Sequence, residues 1–174
     1  MRLMLLRHAK SDWSQPGLGD RARPLNPRGR KAAPKVGAYM ARHALVPDLV
    51  VTSTATRVRE TLDLVLPAFK RPPKVKHDAR VYEAESDALL DVLKETPFEI
   101  QSLLLVGHNP GLAELAELLI ASGKTEARTR LAAKFPTAAL AVIDFAGDDW
   151  GKLRPRSGRL ERFIVPKGLK GEAD

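Results

Sequence analysis

Two arginines and two histidines stand at the ends of three short apolar runs. Leu3-Met4-Leu5-Leu6 stops at Arg7-His8, and Leu49-Val50-Val51 runs into Thr52-Ser53 with Arg57 one helical turn further on. Leu103-Leu104-Leu105-Val106 stops at Gly107-His108-Asn109-Pro110. Runs of this length bounded by polar residues read as buried strands. In open α/β sheets, ligands bind outside the carboxyl ends of the strands. If the three strands are parallel neighbours, Arg7, His8, Ser53, Arg57 and His108 converge on one rim.

That set suits a dianion. A guanidinium offers phosphate oxygens two hydrogen bonds at once, and helix amino termini add backbone N–H groups. A neutral imidazole in such a pocket is a nucleophile near neutral pH and can carry a covalent intermediate. Phosphoryl transfer needs mainly positioning and charge neutralisation, which two arginines and a histidine supply. Taken singly, Arg7 reads as a surface or paired arginine and His108 as a capping or packing histidine; together, at three strand ends, coincidence is a poor explanation. Ser53 and Thr52 read as helix caps rather than nucleophiles, and His43 and His77 as structural or exposed. The four histidines show no metal-ligand spacing, so no metal and no cofactor is expected. The glycines form neither a P-loop nor a G-x-G-x-x-G.

The elements that must position these residues follow from the pattern. Residues 11–27 read as a loop, and Asn26-Pro27 as the cap and first residue of a helix over 28–43. Pro34 should kink that helix or delay its start. Ser53 or Thr54 caps a helix over 55–66, a short strand falls near Val75-Lys76-His77, and a helix spans 87–95. The form of 80–85 is left open. Asn109-Pro110 repeats the cap-plus-proline signal before a helix over 110–121. Residues 122–136 read as a loop, 138–145 as a strand, 147–151 as a turn into a hairpin strand over 150–154, and 160–165 as a last strand. Strands alternating with helices, followed by strands alone, predict a three-layer α/β/α sandwich with a mostly parallel sheet and an antiparallel edge. One domain is expected over 1–166, with 167–174 a frayed tail.

The chain has 174 residues and no cysteine, which excludes disulfides and thiolate metal sites. The amino-terminal apolar run is too short for a signal peptide and no run reaches membrane-spanning length, so a cytoplasmic location is expected. The net charge is +8, and it is uneven: +8 over residues 1–43, −4 over 44–122 and +4 over 123–174. The basic excess shares a stretch with Arg7 and His8, and favours an anionic partner. Nucleic acid is the less favoured partner, because only two Trp and two Tyr are present and no stacking or groove-reading motif occurs.

Leu6-Arg7-His8-Ala9-Lys10 resembles the Arg-His signature of the histidine phosphatase superfamily, the phosphoglycerate mutase-like proteins. Alanine after the histidine resembles the small phosphohistidine phosphatase branch. Further similar segments follow in the family's order: Arg23-Pro24-Leu25-Asn26-Pro27-Arg28-Gly29, then Thr52-Ser53-Thr54-Ala55-Thr56-Arg57 with Thr61, then Val81-Tyr82-Glu83-Ala84 and Gly107-His108-Asn109-Pro110. The resemblance implies a phosphoglycerate mutase-like fold. It implies His8 as nucleophile, Arg7, Arg57 and His108 as ligands of the phosphoryl group, and Glu83 as general acid and then base. Glu85 lies two residues on, and spacing does not choose between the two carboxylates. Asn26 reads as a cap first and a site residue second.

Only about 25 residues separate Arg57 from the acidic segment, too few for a large lid, so an open pocket is expected. Such a pocket suits a phosphorylated side chain of another protein, phosphohistidine, or a small phosphorylated metabolite. A phosphatase working through phosphohistidine on His8 is therefore the leading reading. The alternatives are a basic nucleic-acid-binding domain, a non-catalytic phosphate-binding module and, less favoured, a phosphomutase. Oligomeric state and physiological substrate are not legible.

Overall fold

A computed structural model describes residues 1–169. These residues form seven strands: β1 (Arg2–Arg7), β2 (Leu49–Thr52), β3 (Lys74–His77), β4 (Ser102–Gly107), β5 (Ile120–Gly123), β6 (Leu140–Phe145) and β7 (Gly158–Ile164). They make one sheet in the order β3-β2-β4-β1-β6-β7-β5. β1 to β4 are mutually parallel, β6 is antiparallel to both β1 and β7, and β5 is parallel to β7. β2, β4 and β1 are adjacent, so their carboxyl ends share one edge. Register fixes this closely, with Arg7 opposite Gly107 and Thr52 opposite Val106.

Five helices cover the two faces: α1 (Pro27–Arg42), α2 (Thr56–Val65), α3 (Ser86–Lys94), α4 (Gly111–Leu119) and α5 (Thr125–Ala133). The two-residue period of the strands divides the core. Leu3, Leu5, Leu103 and Leu105 pack with α3, α4 and α5, whereas Met4, Leu6, Leu104 and Val106 pack with α1 and α2. This is the three-layer α/β/α sandwich the sequence predicts. Each fully buried leucine, isoleucine or methionine of this core contributes roughly 1.5–3 kcal/mol of apolar transfer.

The start of α1 follows its sequence signal. The Asn26 side chain accepts the Gly29 N–H at 2.9 Å, and Pro27 occupies the first turn. Pro34 does not delay the start: the helix runs through it, with Pro34 on the exposed side. Gly29 lies against the chain just past His8, where a Cβ would fall 2.2 Å from the Lys10 carbonyl oxygen. The loop that follows is closed at its neck by the Ser11–Leu25 bridge and by Asp12 N–H donating to Pro24 O at 2.8 Å.

Three local expectations change, and the stretch left open takes a form. The expected loop over 122–136 contains β5 and α5, because α5 buries only Leu131 and so lacks a readable apolar stripe. The expected hairpin strand over 150–154 is instead a 3₁₀ turn at Trp150–Lys152, capped by Asp149. Trp150 is fully buried there and donates its indole N–H to Ile100 O at 2.6 Å, so the partner of β6 begins only at Gly158. The stretch 80–85 is no strand: a 3₁₀ turn covers Ala79–Val81, and Glu83 has a left-handed backbone with φ 52°. Finally, the chain is not frayed from 167, since Pro166–Leu169 forms a 3₁₀ turn and Leu169 is buried in the α1–α2 core. Residues 170–174 of the expected tail lie outside the described residues.

Candidate active site

The carboxyl edge of β1, β2 and β4 opens into a pocket of about 360 Å³ lined by Arg7, His8, Arg57, Glu83 and His108 among others. The four arginines and histidines read from the strand ends line it together with Glu83, which the resemblance implies, while Ser53 stands behind His108. Each is placed by backbone chemistry. His8 follows β1 and donates its N–H to Gly107 O at 3.1 Å, locking it beside the end of β4. Ala9 N–H donates to Thr61 Oγ1 at 2.9 Å, which ties the same turn to α2. Arg57 occupies the first turn of α2, and His108 joins β4 to α4.

His8 is buried, and its Nδ1 lies 2.7 Å from Ala9 O. A carbonyl oxygen can only accept, so Nδ1 carries the proton and Nε2 keeps the lone pair. Burial first, with Arg57, Arg7 and Arg23 adding, pushes the His8 pKa down to about 4. The ring is therefore neutral near pH 7, as a nucleophile requires. His108 is also buried, and burial first, then Arg57 and His8, push its pKa down to about 3. The two rings lie 5.5 Å apart, centre to centre.

Arg57 is the hub. It is only 2% exposed. Its Nη1 donates to Asp20 O at 2.8 Å, and its Nη2 reaches Asp20 Oδ2 at 3.1 Å, Glu83 Oε1 at 3.0 Å and His108 Nδ1 at 3.3 Å. The Nε atoms of Arg57 and Arg7 are buried without a protein partner, donors an anion can take up. Arg7 is held by Nη1 donating to Phe135 O at 3.0 Å.

Geometry separates Glu83 from Glu85. Glu83 Oε1 sits on Arg57 and 3.5 Å from His108 Nδ1, while Glu85 is the residue preceding α3. The backbone turn at Glu83 breaks the two-residue period that would have put both carboxylates on one side. Gly111 fixes this segment from below, because a Cβ there would fall 2.0 Å from Ala84 O. Asn26 is a helix cap and not among the pocket-lining residues.

Sequence reasoning placed Ser53 on this rim as a cap and missed Asp20. Ser53 does not cap α2, whose first turn has no side-chain cap; its Oγ lies 2.7 Å from His108 Nε2 and accepts the Ala55 N–H. Asp20 lines the pocket from the 11–24 loop and takes hydrogen bonds from Tyr82, Arg23 and Arg57. These bonds, that of Tyr82 first, hold its carboxyl well below the usual carboxylate range. Arg23 also donates to Ser11 Oγ at 2.8 Å and lies 3.5 Å over the ring of Trp13. The nearest sequence signal was the glycine- and proline-rich loop itself, which does not single out Asp20.

The chain as a whole is similar to known proteins. A family model described as histidine phosphatase superfamily (branch 1) matches residues 3–96. A solved structure of a candidate phosphohistidine phosphatase SixA from Agrobacterium tumefaciens is 33% identical, with a TM-score of 0.80 over 95% of this chain and 97% of that one. Its counterpart from Nakamurella multipartitia is 26% identical, with a TM-score of 0.83 over 95% of both chains. The uncharacterized protein Rv1276c of Mycobacterium tuberculosis is 34% identical over 93% of this chain and all of its own length.

Proposed function

The chain belongs to the histidine phosphatase superfamily, and from that premise we propose that it is a phosphatase acting on phosphohistidine of another protein, or on a small phosphomonoester, through a phosphohistidine intermediate on His8. One observation carries the reading: Nδ1 of His8 is committed to Ala9 O, which leaves a neutral ring with a free Nε2 pair in a pocket with two arginines. The SixA likeness at 33% identity supports the phosphohistidine arm.

In the proposed reaction the His8 Nε2 pair attacks phosphorus. The bond to the leaving oxygen or nitrogen breaks, and the leaving atom keeps that electron pair. Arg7 and Arg57 hold the spectator oxygens and offset their charge, and His108 joins them when the entering dianion draws a proton onto its ring, which is otherwise engaged by Arg57 and Ser53. Glu83 donates a proton to an alkoxide leaving group from the oxygen not engaged by Arg57. It then takes a proton from the water that attacks phospho-His8, and the ring returns to its starting state. Among the described residues no large lid covers the pocket, which suits a side chain presented by a protein and equally admits a small phosphorylated metabolite. The reading also places the protein in the cytoplasm, and no helix among the described residues is long and apolar enough to cross a membrane.

The test is chemical trapping. Enzyme mixed with labelled substrate and quenched should hold phosphate in an acid-labile, base-stable linkage at His8. An active His8→Ala variant, or inversion of configuration at phosphorus, overturns the proposal.

A further inference from the structure

Asp20 is a second carboxylate in a pocket otherwise arranged for an anion, and the proton-transfer scheme above leaves it unused. Its Oδ2 shares the Nη2 nitrogen of Arg57 with Glu83 Oε1, so the two carboxylates flank the same side of the site. We propose that Asp20 is a specificity residue that recognises a cationic leaving group, the protonated imidazole of a phosphohistidine or another N-linked phosphoryl donor. The inference rests on the phosphatase reading above.

An anchoring role alone does not account for Asp20. Its backbone carbonyl already takes Arg57 Nη1, and Glu83 already takes Nη2. The carboxylate is 47% exposed and lines the pocket, so it presents charge toward whatever enters. It is also pinned. Tyr82 donates to Oδ2, Arg23 donates to Oδ1 at 2.9 Å and 3.3 Å, and the loop neck is bridged at Ser11–Leu25. A fixed negative charge beside an incoming phosphoryl dianion is unfavourable by itself. It becomes favourable when the group attached to phosphorus is positive.

The chemistry follows. A phosphorylated imidazole that carries a proton on its other nitrogen is a cation. As the P–N bond breaks and the His8 Nε2–P bond forms, the P–N pair passes to the ring, which departs as neutral imidazole. Without that proton it would depart as an imidazolide, a far worse leaving group. Asp20 holds the proton in place by stabilising the cation. Because Asp20 remains ionised, it does not itself serve as the acid. Glu83 protonates leaving alkoxides, and Asp20 selects donors whose leaving group already carries its proton.

The experiment compares kcat/KM for phosphoimidazole and p-nitrophenyl phosphate in wild type, Asp20→Asn and Tyr82→Phe. Asp20→Asn should lower the phosphoimidazole value about tenfold more than the aryl phosphate value, as expected for a half-exposed charged contact, with any loss shared by both substrates reporting the hold of Asp20 on Arg57. Tyr82→Phe keeps the ion pairs but releases Asp20, and should move the ratio the same way by a smaller factor. Equal changes for both substrates, or a loss confined to the aryl phosphate, overturn the proposal. If Asp20→Asn does not fold, an unchanged ratio in Tyr82→Phe does so. A wild type inactive on both substrates overturns the phosphatase reading instead.

Discussion

Ser53 Oγ and His108 Nε2 lie 2.7 Å apart, and both groups are buried. The contact joins the end of β2 to the end of β4 and sets the angle of the His108 ring. Ser53→Ala should cost about 1 kcal/mol of stability through the lost hydrogen bond. It should also lower kcat/KM and vanadate affinity together, each by about tenfold, because His108 would no longer be aimed at the phosphoryl oxygens. Unchanged vanadate binding would show that Ser53 serves packing alone.

Glu83 and Glu85 can be told apart by substrate. General acid catalysis is worth about 10²–10⁴-fold, so Glu83→Gln should slow alkyl phosphate hydrolysis by a factor in that range and phosphohistidine hydrolysis only weakly. Glu85→Gln should alter neither. Comparable losses on both substrates in the Glu83 variant would refute its role as acid.

Gly111 tests the same segment from a distance. A Cβ there meets backbone rather than a movable side chain, so Gly111→Ala should displace residues 82–85. Alkyl phosphate turnover should then fall about tenfold or more, while competition by inorganic phosphate stays within about twofold. Loss of phosphate competition together with turnover would mean that the whole pocket has shifted.

The two buried histidines set a pH dependence of stability. Each has a folded pKa, about 4 for His8 and about 3 for His108, below the ordinary 6.5 of the unfolded chain. As pH falls from 6.5 the unfolded chain takes up protons first, so stability declines across that window, on the order of a few kcal/mol in all. Urea unfolding at pH 7.5 and pH 5 should show the loss, and His8→Gln should reduce the difference. An equal difference in the variant would assign the effect to other groups.

Anion binding should follow the arginines. Sulfate or vanadate should compete with substrate and lie between Arg7, His8, Arg57 and His108 in a crystal, and chelators should leave activity intact. Activity lost to a chelator and restored by magnesium would contradict this.

The strand ends were legible because burial on both faces demands continuous apolar runs, and the polar residue that stops each run marks the edge. Arg7, His8, Arg57 and His108 therefore came directly from pattern. So did the Asn26 cap, whose partner lies three residues away in the chain. What stayed hidden depends on long-range contact. Asp20 belongs to the site only because Tyr82, Arg23 and Arg57 surround it, and Ser53 turns from a cap into a histidine partner only once β2 and β4 are neighbours. α5 escaped because one buried leucine makes no periodicity. The choice between Glu83 and Glu85 needed a backbone turn that alternating residues cannot reveal.

The groups proposed to grip phosphate, Arg7, His8, Arg57 and His108, all hang from paired central strands or the first turn of a core helix. Those proposed to meet whatever is attached to the phosphate, Asp20 and Glu83, hang with Tyr82, which holds Asp20, from two surface loops that join no strand ladder near the site. Grip and selectivity sit on different elements and are joined at Arg57, which Asp20 and Glu83 both hold. Exchanging the exposed residues of 12–24 or 79–85 leaves the sheet and its hydrogen bonds untouched, whereas Arg23 and Val81 are buried and must stay, so new substrate preferences are open to mutation at the exposed positions. A scaffold divided in this way can diversify its clientele while keeping a single chemical step.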